Sequence, residues 1–271
     1  MNTTDNNHVL PNGVGRVSFV PILAPNAIFL TIFCILLLVH ALLTFRYWRF
    51  YGYAIGMVGG LLLELVGYVA KVQLSYNQSN KNAYIMFIIG LTLGPTFLSS
   101  SLYLGISALQ RWYQTTCFSP VGPKLFATLF ILGDFICLAF IGVGGSLAAI
   151  YSDQPIGVNL MIVGLATQVL FTAIFCILLS IFYRSTRRTL AADPKRWFVL
   201  GAAIASACLF LRSCWRVAEL SDGFNGPLAS KEGIFIALDS IPITGMSIIL
   251  TFLQPQFWFS NQRKIDLDLP E

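Results

Sequence analysis

The chain has 271 residues, of which 56% are hydrophobic and only 11% are charged. Such an apolar composition excludes an ordinary soluble globular fold and indicates a membrane protein. The net charge of +5 does not indicate nucleic-acid binding, because the cations are spread over the connections between apolar runs, where they report membrane topology.

Seven apolar runs of about 20 residues, the length that crosses a bilayer as a helix, follow one another along the chain. They are predicted at 24–44, 52–72, 84–110, 124–148, 158–182, 197–220 and 233–253. We therefore predict an all-α membrane protein with seven transmembrane helices. The chain divides into an N-terminal tail (1–23), a seven-helix domain (24–253) and a C-terminal tail (254–271), with no room in the short connections for a separate soluble domain.

The basic residues outside these spans are distributed unevenly. Eleven lie in the first, third and fifth connections and the C-terminal tail, and three lie on the opposite side. By the positive-inside rule, the N-terminus is predicted to be extracytoplasmic and the C-terminus cytosolic. Glycosylation sequons at Asn2 and Asn77 fall on the predicted outer side, which agrees with this orientation.

Seven ionisable side chains fall within the predicted spans. They are Glu64 and Lys71 in the second, Asp134 in the fourth, Arg212, Arg216 and Glu219 in the sixth, and Asp239 in the seventh. A charged residue at the bilayer centre costs about 2.5 to 3.5 kcal/mol on insertion scales, so these side chains are expected to face the bundle interior and to find partners. Pro95 and Pro242 lie in the third and seventh spans, and each leaves a backbone carbonyl that another group must satisfy.

Two of the helices carry a polar stripe on one face. The stripes are Glu64, Tyr68 and Lys71, and Arg212, Arg216 and Glu219, both at the spacing i, i+4, i+7. At about 1.5 Å of rise per residue, Glu64, Arg212 and Asp239 share the predicted outer half of the membrane, and Asp134 lies near the midplane.

These depths predict a polar chamber in the outer half. Glu64 and Asp239 are the candidate partners of Arg212, and Glu219 is the candidate partner of Arg216. Two alternatives remain open at this point: a buried ionic lock that only fixes helix packing, and an interfacial position from which Lys71 and Arg216 reach water or phosphate.

Several motifs resemble those of the fungal lipid-translocating exporter family. They are Glu64-x-x-Gly67-Tyr68-x-x-Lys71, Gly94-Pro95-Thr96-Phe97, Asp134 followed by Gly144-Gly145, Gly164-x-x-x-Gln168, and Arg212-x-x-x-Arg216-x-x-Glu219-x-x-x-Gly223 with Glu232 and Asp239. The family's pattern differs at Lys71, Ile141, Ile236 and Gln254. The resemblance implies seven helices, export of sphingoid long-chain bases and resistance to aminocholesterol-type drugs, and it adds Gln168 to the candidate site.

We therefore predict a membrane translocator of lipids or amphiphiles, such as a sphingoid base, a phospholipid or a sterol-like drug. Carboxylates at Glu64, Asp134 and Asp239 suit an amine, and Arg212 and Arg216 suit a phosphate. The expected partners are membrane lipids and amphiphilic small molecules, with no nucleic acid and no cofactor. The plasma membrane is the first expectation for location and an endomembrane the second, and nothing in the sequence indicates an oligomeric state.

Other classes of seven-helix protein fit less well. A receptor or sensor without enzymatic activity is the alternative function, although the predicted outer connections lack a cysteine pair. A hydrolase with a zinc site is disfavoured, because the only histidines are His8 and His40, too few for three-histidine coordination. We therefore expect no catalytic residue and no metal. A retinal-type photoreceptor is disfavoured because the seventh span contains no lysine.

Overall fold

The computed structural model describes residues 22–46, 51–77, 80–113, 122–150, 156–190, 193, 195–221 and 232–259. Within these ranges the secondary structure is helical. The elements are α1 (Leu23–Arg46), α2 (Tyr51–Tyr76), α3 (Lys81–Tyr113), α4 (Pro123–Ile150), α5 (Ile156–Leu190), α6 (Arg196–Ser221), α7 (Glu232–Phe235), a π-helical segment (Ile236–Ser240), α8 (Ile241–Phe252) and α9 (Pro255–Phe259).

Seven stretches are long and apolar enough to cross a membrane, which confirms the predicted number of spans. Six are α1 to α6, and the seventh span, Glu232–Phe252, combines α7, the π-helical segment and α8. The helices extend beyond the predicted limits where polar residues of good helical propensity continue the pattern. The clearest case is α5, which continues through Arg184 to Leu190.

Small residues allow the closest helix contacts in the bundle. A Cβ atom placed on Gly90 of α3 would lie 2.6 Å from the backbone nitrogen of Gly67 and from the carbonyl oxygen of Leu63, both on α2. The same arrangement joins α4 to α5, where a Cβ atom on Gly144 would lie 2.8 Å from the Gly157 carbonyl oxygen. Close backbone approach of this kind is how membrane helices gain packing contacts without a hydrophobic driving force.

The first helix lies at the edge of the bundle and packs mainly on α2. Only 11% of its most apolar 18-residue stretch is buried inside the bundle. Its polar contacts to other helices, among the described residues, are all with the seventh span. Asn26 donates to Glu232 Oε1 at 2.8 Å, the Ile22 backbone N–H donates to Glu232 Oε2 at 2.5 Å, and His40 Nε2 lies 3.0 Å from Thr251 Oγ1.

The seventh span changes its helical winding in the middle. Over Ile236–Ser240 the backbone forms a π-helix, and the Ile241 N–H bonds to the Ile236 carbonyl. Pro242 follows directly. Because a proline cannot donate to the preceding turn, the wider winding is accommodated immediately before it. The π-helical segment carries Asp239, which is fully buried.

Candidate functional site

The polar stripe of α6 meets Asp239 in the bundle interior. Arg212 Nε lies 3.1 Å from Asp239 Oδ1, and Arg216 Nε lies 3.0 Å from the same oxygen. Arg216 also reaches Glu219, with its Nη1 atom 3.1 Å from Oε2. The predicted pairs of Arg212 with Asp239 and of Arg216 with Glu219 are therefore formed. One carboxylate oxygen serves two guanidinium groups, because the π-helical segment places Asp239 opposite two turns of α6.

Arg212 also satisfies the carbonyl that Pro95 leaves unpaired. The Leu91 carbonyl lies four residues before Pro95, and it would accept the backbone N–H that a proline lacks. Arg212 Nη2 donates to this oxygen instead. The guanidinium group thus joins α6 to the proline turn of α3 and to the π-helical segment.

Lys71 lies inside the bundle and is only 1% exposed. Its Nζ atom is 4.0 Å from Glu232 Oε1 and 3.7 Å from the centre of the Phe235 ring. An ammonium group over an aromatic face is attracted by the ring quadrupole. The alternative in which Lys71 reaches the membrane surface does not describe this structure, because α7 covers the side chain.

We call Lys71, Arg212, Arg216, Glu219, Glu232 and Asp239 the ion network. Glu64 is fully buried beside it, yet neither of its oxygens has a hydrogen-bond partner among the described residues. Its carboxylate packs against Gly94, where an added Cβ would lie 2.8 Å from Oε1. The predicted contact between Glu64 and Arg212 is not formed, although the two interact electrostatically.

The charges of this region do not balance. Glu64, Glu219, Glu232 and Asp239 supply four carboxylates, against three cations from Lys71, Arg212 and Arg216. Each cation contacts a carboxylate of the network, and Glu64 is the carboxylate without such a contact. An isolated carboxylate in a dry interior is costly, so Glu64 is suited to take up a proton or a cationic ligand.

Tyr68 lies close to this spare carboxylate. Its side chain is fully buried and stacks on Phe33 of α1, with ring centres 5.3 Å apart. Its hydroxyl lies beside Ser240 and interacts electrostatically with Glu64. The stripe of α2 thus faces the ion network along its whole length, as its spacing predicts.

All of these groups share one end of the bundle. The second halves of α2 and α6 and the first halves of α3 and the seventh span meet there. This end corresponds to the predicted outer half of the membrane.

Asp134 forms a second buried polar group on α4, apart from the arginines. Its Oδ2 atom accepts hydrogen bonds from Ser99 at 2.6 Å and from Tyr103 at 3.1 Å, both on α3. Its Oδ1 atom is buried and has no hydrogen-bond partner among the described residues. Gln168 is 7% exposed on α5. Among the described residues, Asp134 therefore forms a carboxylate site separate from the ion network.

Comparison with known proteins identifies the family. A family model described as RTA1 like protein matches residues 57–262. The chain belongs to this family. The Sphingoid long-chain base transporter RSB1 of Saccharomyces cerevisiae is 27% identical to it, over 90% of this chain and 74% of the relative. Protein RTM1 of the same yeast is 25% identical over 70% of this chain and 63% of the relative. Protoporphyrin uptake protein 1 of Saccharomyces cerevisiae is 25% identical over 73% of this chain and 67% of the relative. No solved structure matches.

The RTA1-like assignment confirms the resemblance read from the motifs. The chain is a multi-pass membrane protein whose relatives include named transporters. The matched segment contains every residue of the ion network as well as Glu64 and Asp134. It begins within α2, so α1 lies outside the matched segment.

Sequence reasoning missed several partners of the predicted residues. Asn26 joins α1 to the network through Glu232, which the sequence indicated only as part of the family motif, and Ser99 and Tyr103 hold Asp134. The sequence marks Asn26, Ser99 and Tyr103 only as polar positions within or beside an apolar run. Such a position indicates a site less strongly than a charged residue does, because hydroxyl and amide groups are tolerated in membrane helices.

The glycosylation sequons and the metal-binding residues are the other features considered in the sequence. Asn2 lies outside the described residues, whereas Asn77 is described and exposed. Among the residues that the structure describes, no group of three or more His, Cys, Asp and Glu side chains could hold a metal ion.

Proposed function

We propose that this RTA1-like protein translocates an amphiphile with an ammonium head group, of the long-chain base class. The observation that carries the proposal is Glu64, a buried carboxylate that no cation contacts. The three cations beside it each contact another carboxylate. An ammonium group would supply the missing positive charge and up to three donors to the two carboxylate oxygens. The yeast relative named a sphingoid long-chain base transporter supports the same class of substrate.

The contacts of the arginines favour an amine over a phosphate. Arg212 and Arg216 already share Asp239, and Arg216 also holds Glu219. A phosphate head group would have to displace these carboxylates, and separating a buried ion pair costs about 3 to 5 kcal/mol. An ammonium group at Glu64 displaces no ion pair and removes the charge imbalance. Phospholipids are therefore the weaker substrate class.

The surroundings of Glu64 suit a head group that carries hydroxyls as well as an amine. Tyr68 interacts electrostatically with the carboxylate, and its hydroxyl lies beside that of Ser240; each hydroxyl can donate and accept. The apolar tail would remain in lipid between the helices. Asp134, with its unpartnered Oδ1 atom, offers a second carboxylate nearer the membrane midplane.

This mechanism includes no enzymatic step and no nucleotide. The chain contains no Gly-x-x-x-x-Gly-Lys-Ser/Thr loop, so movement is downhill or coupled to protons through the buried carboxylates. With the N-terminus outside, the network lies in the outer half of the plasma membrane, as export requires. A role in resistance to stress or to sterol-like drugs would follow from removal of cationic amphiphiles.

Flux in proteoliposomes tests the proposal. The purified chain is reconstituted, and the transfer of a labelled long-chain base is compared with that of its phosphorylated form. Glu64→Gln is expected to lower transport of the base about 10- to 100-fold, because hydrogen bonds to charged groups contribute about 1.5 to 3 kcal/mol each. Asp193→Asn is the matched control, since Asp193 pairs with Lys195 at the other end of the bundle, and its transport should be unchanged.

Two outcomes would contradict the proposal. Equal transfer of the base with and without protein removes the transport function. Faster transfer of the phosphorylated form, retained in Glu64→Gln, would assign the site to a phosphate and place recognition on the arginines.

A further inference from the structure

A groove lies between α5 and α6 at the opposite end of the bundle from Glu64. It encloses about 780 Å³, within the roughly 300 to 1,000 Å³ typical of small-molecule sites. It is lined by residues 176–184 in the second half of α5 and 196–207 in the first half of α6. Loop charges predict that this end is cytosolic.

The lining of the groove is apolar and partly open to the outside of the bundle. Leu179 and Val199 form its buried wall, whereas Tyr183 and Leu200 are 50% and 48% exposed. The serine hydroxyls that line it bond within their own helices. Ser180 donates to the Cys176 carbonyl at 2.8 Å and Ser206 to the Ala203 carbonyl at 2.9 Å. The wall therefore presents hydrocarbon, as an acyl chain requires.

Two arginines supply the charge of the groove. Arg184 and Arg196 both line it and are exposed, and neither forms an ion pair with a carboxylate among the described residues. The Arg196 guanidinium lies 5.4 Å from the ring centre of Trp197, an aromatic residue of the kind that marks membrane interfaces. Lys195 differs, because it pairs with Asp193 at 3.0 Å.

We propose that this groove binds an anionic phospholipid of the surrounding leaflet. The phosphate and its net negative charge meet Arg184 and Arg196, and one acyl chain lies along Leu179, Leu200 and Val199. No carboxylate among the described residues lines the groove, so the choline group of a zwitterionic lipid would have no partner there and would leave two positive charges uncompensated. The inference does not depend on the transported substrate, because Glu64 and the ion network lie at the other end.

Trp197 provides the measurement, since it lines the groove and is 57% exposed. The full chain is reconstituted in phosphatidylcholine with increasing amounts of phosphatidylserine that carries brominated acyl chains, which quench tryptophan on contact. The Trp197→Phe variant gives the signal of the other tryptophans for subtraction. Because each basic side chain near a membrane surface contributes about 1 kcal/mol to anionic lipid binding, the preference for the anionic lipid is expected to be about 30-fold.

Matched variants decide the assignment. Arg184→Gln and Arg196→Gln are each expected to lower this preference about fivefold, whereas Lys195→Gln, which removes the same charge beside the groove, should change it less than twofold. The arginine side chains are exposed, so the folded fraction measured by size-exclusion chromatography should not change. An equal effect of all three variants would overturn the proposal in favour of general surface charge.

Two further results would also overturn it. Equal quenching by brominated phosphatidylcholine and phosphatidylserine would show that the arginines select no lipid. Full displacement by soluble glycerophosphoserine would show that the ligand is a soluble phosphate anion and that the hydrocarbon wall of the groove is not used. Retention of the quenching in excess glycerophosphoserine supports the phospholipid.

Discussion

Removing the charge of Asp239 is expected to destabilise the protein strongly. Its Oδ1 atom lies 3.1 and 3.0 Å from two guanidinium nitrogens. At an effective dielectric constant of about 20, each contact has a Coulomb energy of about 5 kcal/mol, which desolvation largely offsets. Breaking such a buried pair costs about 3 to 5 kcal/mol. Because Arg212 keeps the Leu91 carbonyl and Arg216 keeps Glu219, we expect the lower figure, about 3 kcal/mol, for Asp239→Asn.

The spare carboxylate makes this prediction more specific. Glu64→Gln removes a buried ionisable carboxyl group that has no contacting cation, so the free energy of unfolding should stay the same or rise by about 1 kcal/mol. In Asp239→Asn, Glu64 balances the charge of the arginines. In the double variant the cations are in excess. The double variant should therefore lose at least about 1 kcal/mol more than the sum of the single changes, as expected for residues that share partners.

The measurement is reversible unfolding of the purified protein in mixed micelles, followed by tryptophan fluorescence and far-UV circular dichroism. Four proteins complete the cycle: the unchanged chain, both single variants and the double variant. If Glu64→Gln proves as destabilising as Asp239→Asn, Glu64 is a structural partner of the arginines and the reasoning about a spare charge is wrong. Additive free energies would refute the charge compensation.

Four other substitutions test three separate parts of the structure. Gly90→Ala should destabilise the protein by about 1 to 3 kcal/mol or prevent folding, since its Cβ would meet the α2 backbone. Gly245→Ala is the control: its Cβ would meet nothing within 4 Å, so the change should be neutral or stabilising by up to about 1 kcal/mol. The same unfolding assay measures both. Pro95→Ala restores a backbone donor that competes with Arg212, and it should lower flux of the base severalfold without loss of stability. Asp134→Asn keeps an acceptor for its two hydroxyl partners, so stability should change by less than about 1 kcal/mol, while proteoliposome flux should fall at least tenfold if this carboxylate receives the base.

The number of spans and the inward-facing polar stripes could be predicted from the sequence. Hydrophobic length determines a membrane helix, and a spacing of i, i+4, i+7 defines a helical face. The pair of Arg216 with Glu219 followed from the same rule. These predictions succeeded because each depends on one helix and its geometry.

Contacts between distant helices were assigned only in part, since the predicted pair of Arg212 with Asp239 is formed and the predicted contact of Arg212 with Glu64 is not. The depth of a residue along a helix does not determine which neighbouring helix its side chain faces. Asp134 was predicted near the midplane as a carboxylate for an amine, and the sequence did not indicate that Ser99 and Tyr103 of α3 would be its partners. An interfacial position remained open for Lys71, because the residues that cover its side chain, Phe235 and Glu232, belong to a helix that begins more than 150 residues later.

The π-helical segment depends on a local property that hydrophobic patterns do not encode. A period of 3.6 residues describes α-helices only, and Pro242 signalled a lost hydrogen bond without specifying how the backbone would respond. The response rotates Asp239 toward two arginines. The carbonyl that Pro95 leaves unpaired was correctly expected to need a partner. It is the Leu91 carbonyl, and Arg212 donates to it.

The position of α1 has a consequence for the biogenesis of the protein. Asn26 and His40 bond to residues 206 and 211 positions later in the chain. Helix α1 therefore cannot form its polar contacts to the seventh span until that span, which is synthesised later, has entered the membrane. A chain released before Glu232 is translated would expose the Asn26 amide to lipid, which gives quality-control machinery a feature by which to recognise incomplete chains.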